Sequence, residues 1–363
     1  MTSAAPAPLA TAEELVGRLL ESAVGALDIF SIYAGEKLGW YQALAEHGPA
    51  TASELAARTS THERYVREWL EQQATTGLLA VEETAGAPAR RFSLPEQYAS
   101  VLIDRQSDLF LAPMGRFLVS AIGQAPSLLE AYRRGGGVSW EQYGSDMLTA
   151  QSDFNRPFFE NSLAEDYLAN VPGLDASLRA PGARVAEIGP GGGWAAIAIA
   201  RVYPTAHVDA FEIDKASVEL ARSNVQEAGV AERVTIHQRD AGEPAVRGEY
   251  DLVCAFECIH DVPHPVSVLA TMRRLVREGG TVLVMDERVG DEFGAVGDLV
   301  ERLFYGFSLA VCLPDGMSHS GSAGTGTVMR PGTFRGYAQA AGFSDVEILP
   351  LEHDLFRFYR LVV

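Results

Sequence analysis

From Ala12 to about Gly48 apolar residues return every three or four positions: Leu15, Leu19, Leu20 and Val24, then Leu27, Phe30 and Tyr33, and later Leu38, Tyr41 and Leu44. That spacing predicts amphipathic helices. In "HGPATASELAARTSTHERYVREWLEQQATTGLLA", Thr51 and Ser53 are candidates to cap a short helix, "STHER" offers a second start, and Gly77 a stop. "LLAVEE" and "ARRFSLP" then read as two strands joined by "TAGAPA". Helix, helix, hairpin is the order of a winged helix. Residues from about 100 to 180 keep helical character, broken at "RRGGGVSWEQYG".

At Ala183 the pattern changes to alternation of strand and helix. "ARVAEIG", "AHVDAFEI", "RVTIHQRD", "YDLVCAFECI" and "TVLVMDE" read as strands. "GWAAIAIARVY", "KASVELARSNVQEAG" and "PVSVLATMRRLVREGG" read as the helices between them. An insertion over about 290–332 follows, then the helix "TFRGYAQAAGF" and the closing strands "VEILPL" and "LFRFYRLVV". The expected fold is α/β, a doubly wound and mostly parallel sheet with ligands at the carboxyl ends of its strands. The expected division is a winged-helix domain over 1–100, a helical linker over 101–180 and an α/β domain over 181–363. Within the insertion, "LVERLFYGFSLAVCLP" is an apolar helix and "DGMSHSGSAGTGTVMRPG" a glycine- and serine-rich segment. Together they read as a lid, with Leu303, Phe304, Phe307 and Cys312 either lining a pocket or packing, and Arg330 as a candidate for a substrate carboxylate.

Composition narrows the picture. The chain of 363 residues is long for one core, and its hydrophobic fraction of 47% with 21% charged residues is that of a globular protein. No apolar run approaches the roughly 20 residues needed to cross a bilayer. The opening "MTSAAPAPLATAEE" reads as a flexible tail, without the basic and apolar regions of a signal peptide. Three cysteines, Cys254, Cys258 and Cys312, make no paired framework, which fits a reducing cytoplasm. A net charge of −19 repels polyanions. In the would-be recognition helix "HERYVREWLEQ", Glu63, Glu68 and Glu71 outnumber Arg64 and Arg67, so the winged helix reads as a dimerisation module with no nucleic-acid partner.

Candidate chemistry starts at "VAEIGPGGGWAA", residues 185–196. No Gly-Lys-Ser/Thr follows, which excludes a P-loop. A dinucleotide fingerprint needs a third glycine at the sixth position, where Trp194 stands. Glu187, two residues before the first glycine, has no role on a pyrophosphate but suits a ligand's ammonium group. The pattern E-x-G-x-G-x-G resembles motif I of the class I methyltransferases that use S-adenosylmethionine (SAM). The resemblance implies that Glu187 serves the methionine end of SAM, while Gly189 and Gly191 let the backbone approach it. It likewise places Glu212, with Ile213 beside it, on the ribose hydroxyls, and Asp240 with Ala241 on the adenine. Asp214 reads as the cap of the next helix.

The fourth strand ends "FECIHDVPHP", with His260 where the transferred group should sit. An imidazole suits a general base near neutral pH. The segment is similar to that of the small-molecule O-methyltransferases of plants and bacteria, whose fourth strand ends in a His-Asp pair. "GGVSWEQYGSD", "DFNRPFFENS" and the dimerising winged helix extend this likeness over nearly the whole chain. It implies His260 as base with Asp261 beside it, Asp286 as an acid flanking the histidine, and Phe256 touching SAM through its backbone. The chain departs from the pattern in Val262, where an aromatic residue is usual, and in "GTVMRPGTFRGY", which lacks a second acid before the last helix. No metal is expected: His260, Asp261 and His264 are separated by a turn proline and have no further ligand nearby. His237 reads as a packed sheet residue, and sequence does not place His319. The reading is methyl transfer from SAM to a small, partly apolar metabolite, at oxygen. Transfer to nitrogen or carbon, a non-methylating enzyme on the SAM fold, and a SAM-sensing winged-helix regulator are the alternatives.

Overall fold

The computed structural model describes residues 11–82, 89–243, 247–294 and 297–363. The opening residues and the "TAGAPA" connection of the hairpin (except Ala89) lie outside the described residues. The chain forms two compact units, one ending at Val119 and the other running Ser120–Val363. The helical stretch expected as a linker over 101–180 is therefore divided between the two units.

In the first unit, helix α1 (Ala12–Lys37) starts on a capping box in which Thr11 accepts the Glu14 N–H and Glu14 answers to the Thr11 backbone. α2 (Trp40–His47), α3 (Ala52–Thr59) and α4 (Glu63–Thr75) follow, then the strands β1 (Ala80–Glu82) and β2 (Arg91–Ser93), paired antiparallel, and α5 (Glu96–Leu102). Thr51 caps α3 as expected; Ser53 lies inside it. The core is built on Trp40, Tyr41 and Trp69, whose rings meet at 4.8 to 5.0 Å. Gly35 admits them, because a Cβ there would fall 2.5 Å from Trp69. On α1, Leu15, Val16, Leu19, Leu20, Val24, Leu27 and Phe30 are all exposed. The periodic apolar face is real, and in a single chain it is uncovered.

The unit boundary falls within α6 (Pro113–Gly123), and the second unit continues with α7 (Ala125–Arg134) and α8 (Trp140–Phe158). A wide helical turn (Phe159–Tyr167) and α9 (Leu174–Leu178) lead into the sheet. The sheet comprises β3 (Arg184–Ile188), β4 (His207–Glu212), β5 (Val234–Gln238), β6 (Tyr250–Phe256), β7 (Val276–Glu287), β8 (Asp345–Ile348) and β9 (Phe356–Val362). Their order is β5-β4-β3-β6-β7-β9-β8, parallel as far as β7, with β9 antiparallel to both neighbours. Helices α10 (Trp194–Val202), α11 (Lys215–Glu227), α12 (Pro265–Leu275) and α15 (Pro331–Ala340) connect the strands. This is the Rossmann-like α/β fold anticipated from the alternation. β6 is buried at every position, as a central parallel strand should be.

One boundary differs. The sequence pattern predicts "VREGG" as the tail of α12, but β7 starts at Val276, which pairs with Tyr250 before an irregularity moves the register to Leu252 and Thr281. Gly279, at φ +75°, and Gly280 absorb that shift. Among the described residues no helix is long and apolar enough to cross a membrane.

Candidate active site

The glycine turn is built by backbone that only glycine adopts easily. Gly189, Gly191 and Gly193 have φ of +66°, +50° and +79°, and Gly193 caps α10. A Cβ on Gly189 would also lie 3.0 Å from Cys258. Trp194 is accommodated by contacts with α8. Its Nε1 donates to Ser152 Oγ at 2.9 Å, and Arg156 sits 3.9 Å over its ring.

Glu187, at the end of β3, is buried and accepts the Ala196 N–H in the first turn of α10. Burial pushes its carboxyl up to about 8, against the help of that N–H, with nearby Glu212 adding to the rise. Its Oε2 is buried without a hydrogen-bond partner. An orphaned carboxylate oxygen beside a glycine cradle is what an ammonium group would satisfy. Glu212 ends β4. Its Oε2 accepts the Gly191 N–H at 3.2 Å, and its Oε1 accepts those of Ile213 and Asp214 at 2.8 and 3.0 Å. Glu212 is thus anchored to the glycine turn itself. Asp240 and Ala241 follow β5: Asp240 is exposed and turns back onto the Gly242 N–H, while Ala241 is buried. Ile213 is exposed, Phe256 is buried at the end of β6, and Asp214 caps α11. The residues singled out for the cofactor therefore lie at the carboxyl ends of neighbouring strands. This arrangement could hold SAM, with Glu187 free to meet an amino-acid end, Glu212 a ribose, and Asp240 with Ala241 lying beyond.

His260 is 3% exposed and ringed by acids. Nδ1 meets Asp286 Oδ1 at 2.8 Å and Glu287 Oε2 at 2.8 Å, while Nε2 faces Asp261 Oδ1 at 3.2 Å. Burial opposes the imidazolium, but Asp261, Glu287 and Asp286 outweigh it and hold the ring well above its ordinary range. Burial also pulls Asp286 up, yet His260 and its hydrogen bonds keep it below the usual carboxylate value. Glu257, directly after β6, is held at φ +51°, and burial lifts its carboxyl to about 8. A left-handed backbone at a residue other than glycine is strained, and such strain gathers at functional sites.

The lid sequence forms one helical run: α13 (Leu299–Phe307), a wide turn over Ser308–Cys312 and α14 (Leu313–Met317). It places Cys312 close to Asp261 and the imidazole, with Asp315 accepting the Trp140 N–H at 2.7 Å. Asp315 is raised to about 7, chiefly by burial. The glycine-rich part is tied to the histidine segment, since Gly326 N–H donates to the His260 carbonyl at 3.1 Å and Ala323 N–H to that of Pro263 at 2.8 Å.

Two readings are corrected. Arg330 is not free for a substrate carboxylate: it donates to Gly290 O, Glu301 and Tyr305, closing the ends of the insertion on each other. The histidine segment also has further potential metal ligands close by, contrary to expectation, because β7 and the lid deliver Asp286, Glu287 and Cys312 to His260. His264 joins neither cluster and stands at the start of α12. Of the other histidines, His237 stacks on Phe211 at 5.0 Å and meets Asp209 at 2.8 Å, and His319 is exposed. Sequence reasoning missed Glu257 and Glu287. The only signals were that Glu257 stands three residues before His260 and that Glu287 directly follows Asp286.

Residues 180–305 match a methyltransferase domain family, and residues 26–104 match a Rv2258c-like winged HTH domain. Among curated relatives, a ubiquinone biosynthesis O-methyltransferase of Aromatoleum aromaticum is 28% identical over 57% of this chain and 81% of its own length. Most of the others are matched over about half their length or less. Two solved structures show the same fold over nearly the whole chain. Human N-acetylserotonin methyltransferase in complex with SAM is 20% identical with a TM-score of 0.69, covering 98% of this chain and 99% of that one. The N,N-8-amino-8-demethyl-D-riboflavin dimethyltransferase of Streptomyces davawensis is 20% identical with a TM-score of 0.63, covering 98% and 100%. Fold and domain matches define a SAM-dependent methyltransferase. In this chain the methyltransferase domain is preceded by a winged helix, and SAM is the cofactor.

Proposed function

We propose that the chain methylates a hydroxyl oxygen of a small, partly apolar metabolite, with His260 and Asp261 removing the hydroxyl proton. When bound, SAM supplies an electrophilic methyl group. The observation that carries the reading is the fixed orientation of the imidazole. Asp286 takes the Nδ1–H, so Nε2 is left to face Asp261 and the lid residue Cys312. Nε2 in its unprotonated form accepts the acceptor's hydroxyl proton as the methyl group passes to oxygen, and Asp286 and Asp261 stabilise the imidazolium that forms. The O-methyltransferase named among the curated relatives supports oxygen as the accepting atom.

Transfer to nitrogen is the second reading. A neutral amine needs no base before transfer, which suits an imidazole whose charged form three acids favour, and one structural neighbour is named as a dimethyltransferase of an amino group. Isotopic methyl labelling decides between them. Labelled SAM and a small-molecule extract of the source cells should yield a product whose carbon-13 shift is that of a methoxy group. An N-methyl shift would replace the first reading by the second.

The exposed apolar face of α1 supports a homodimer through the first unit. On α4, Arg64 and Arg67 are paired with Glu68 and Glu63, and Arg90 reaches Glu71, so this helix offers little uncompensated charge to a phosphate backbone. That arrangement supports an enzyme over a DNA-binding regulator, and three free cysteines fit the cytoplasm.

A further inference from the structure

The lid carries a thiol to the side of His260 that faces away from Asp286. Cys312 is the last residue of the wide turn between α13 and α14, and the turn sets it beside the imidazole and Asp261. A ring nitrogen of His260, a carboxylate oxygen of Asp261 and the Cys312 sulfur lie within 4.8 Å of one another. Nε2 and Asp261 Oδ1 are 3.2 Å apart, close to the edge of about 3.3 Å that two ligands at zinc-bonding distance make on a tetrahedron. Asp261 Oδ1 is nonetheless buried without a hydrogen bond, so that short approach is not one. Thr327 Oγ1, which lies against the Cys312 sulfur, is buried and has no partner either. A buried carboxylate oxygen without a donor, facing a ring nitrogen and a sulfur, is what a cation satisfies. The other two thiols are engaged elsewhere: Cys254 donates to Ala186 O at 3.5 Å and Cys258 to Ile188 O at 3.3 Å.

The support behind the ring is of the kind metal sites use. A metal-bound histidine almost always donates its other N–H to a carboxylate or carbonyl, and Nδ1 already donates to Asp286 Oδ1 at 2.8 Å. Thiolate and imidazole together select zinc over magnesium or calcium, and three protein ligands leave a fourth position open. We infer that His260 Nε2, Asp261 and Cys312 form a site for one zinc-class divalent ion, which latches the lid to the segment after β6. The thiol proton leaves to solvent as the sulfur bonds the ion. The rival set of His260, Asp286 and Glu287 has no sulfur, and its ring nitrogen is the one that Asp286 holds. The effect on turnover rests on His260 as the base. An ion on Nε2 occupies the lone pair that takes the acceptor's proton, so methyl transfer stops until the ion is removed.

The test titrates the full chain, stripped with a chelator, with cobalt(II) and then displaces the cobalt with zinc. One ion per chain should bind, with the visible bands of a tetrahedral ion and a thiolate-to-cobalt charge-transfer band in the near ultraviolet. Cys312→Ser should remove the charge-transfer band, and Cys258→Ser should keep it. Asp286→Asn, which frees the ring from its support, should weaken zinc about 10- to 100-fold. Asp261→Asn, which removes a ligand, should weaken it at least as much. Unchanged SAM affinity, measured by calorimetry, shows that each variant is folded. The inference is overturned if no ion binds, or if the charge-transfer band survives Cys312→Ser. It is also overturned if Glu287→Gln abolishes binding while Cys312→Ser spares it, since the ion would then sit in the rival set. Methyl transfer is read separately. Transfer that continues at its zinc-free rate with the cobalt-defined site filled by zinc would leave the site standing and remove His260 as the base.

Discussion

His260 Nδ1 donates to Asp286 Oδ1 at 2.8 Å, from the end of one central strand to the end of its neighbour, with both side chains sealed from solvent. An imidazole fixed in this way has one tautomer and one direction of proton exchange. Asp286→Asn keeps the shape but removes the charge that selects the tautomer. Turnover should fall by about a hundredfold or more, with SAM affinity unchanged. Steady-state kinetics beside calorimetry of SAM binding would show it. A parallel loss of SAM affinity would make Asp286 a structural residue of the cofactor pocket.

Glu187 gives a second, separable prediction. Its orphan Oε2 should pair with the ammonium group of SAM, a charge-assisted hydrogen bond worth about 1.5–3 kcal/mol. Glu187→Gln should therefore weaken SAM about 10- to 100-fold while leaving the His260 titration in place. Equal SAM affinity in the variant would remove Glu187 from the cofactor site.

The buried acids also set a pH dependence. Glu187 and Glu257, near 8, and Asp315, near 7, all lie above their unfolded values. A carboxyl raised by folding stabilises the native state below its unfolded pKa, and that contribution is lost as pH rises through the folded value. His260, raised by its acids, has the same sign. Asp286, held low, acts only as pH falls below about 4. The ligand-free protein should melt highest near pH 5 and lose stability steadily towards pH 8–9. SAM binding should release a proton from Glu187 and tighten between about pH 6 and 8, which calorimetry in buffers of different ionisation heat would measure. Proton uptake on binding would contradict the account.

The exposed stripe of α1 should hold two copies of the chain together. Leu20→Glu with Leu27→Glu, both at exposed positions, should convert a dimer to a monomer in sedimentation velocity while leaving each unit folded. A wild-type monomer at micromolar concentration would overturn the dimer.

The α/β alternation showed the sheet because each parallel strand is a short apolar run ended by a turn residue. The strand-end positions of Glu187, Gly189, Gly191 and Glu212 were legible because each lies at or just past the end of a short apolar run. His260 and Asp261 were legible for the same reason. Glu287 was not, since its partnership with His260 arises from the β6–β7 register, which pairs residues about thirty apart in the chain. Arg330 misled because an isolated arginine before a helix looks like an anion site, and only the folded insertion shows its contact with Glu301. The start of β7 was hidden by "RRLVREGG", whose first half continues the helical period of α12.

The direct test of methyl transfer through His260 is a single-turnover comparison of wild type with His260→Ala, using methyl-labelled SAM and the acceptor isolated from source-cell extract. With SAM bound equally by both, the variant should transfer its label at least about a hundredfold more slowly, and the wild-type product should carry it on oxygen. Transfer by the variant at the wild-type rate would show that His260 is not the base.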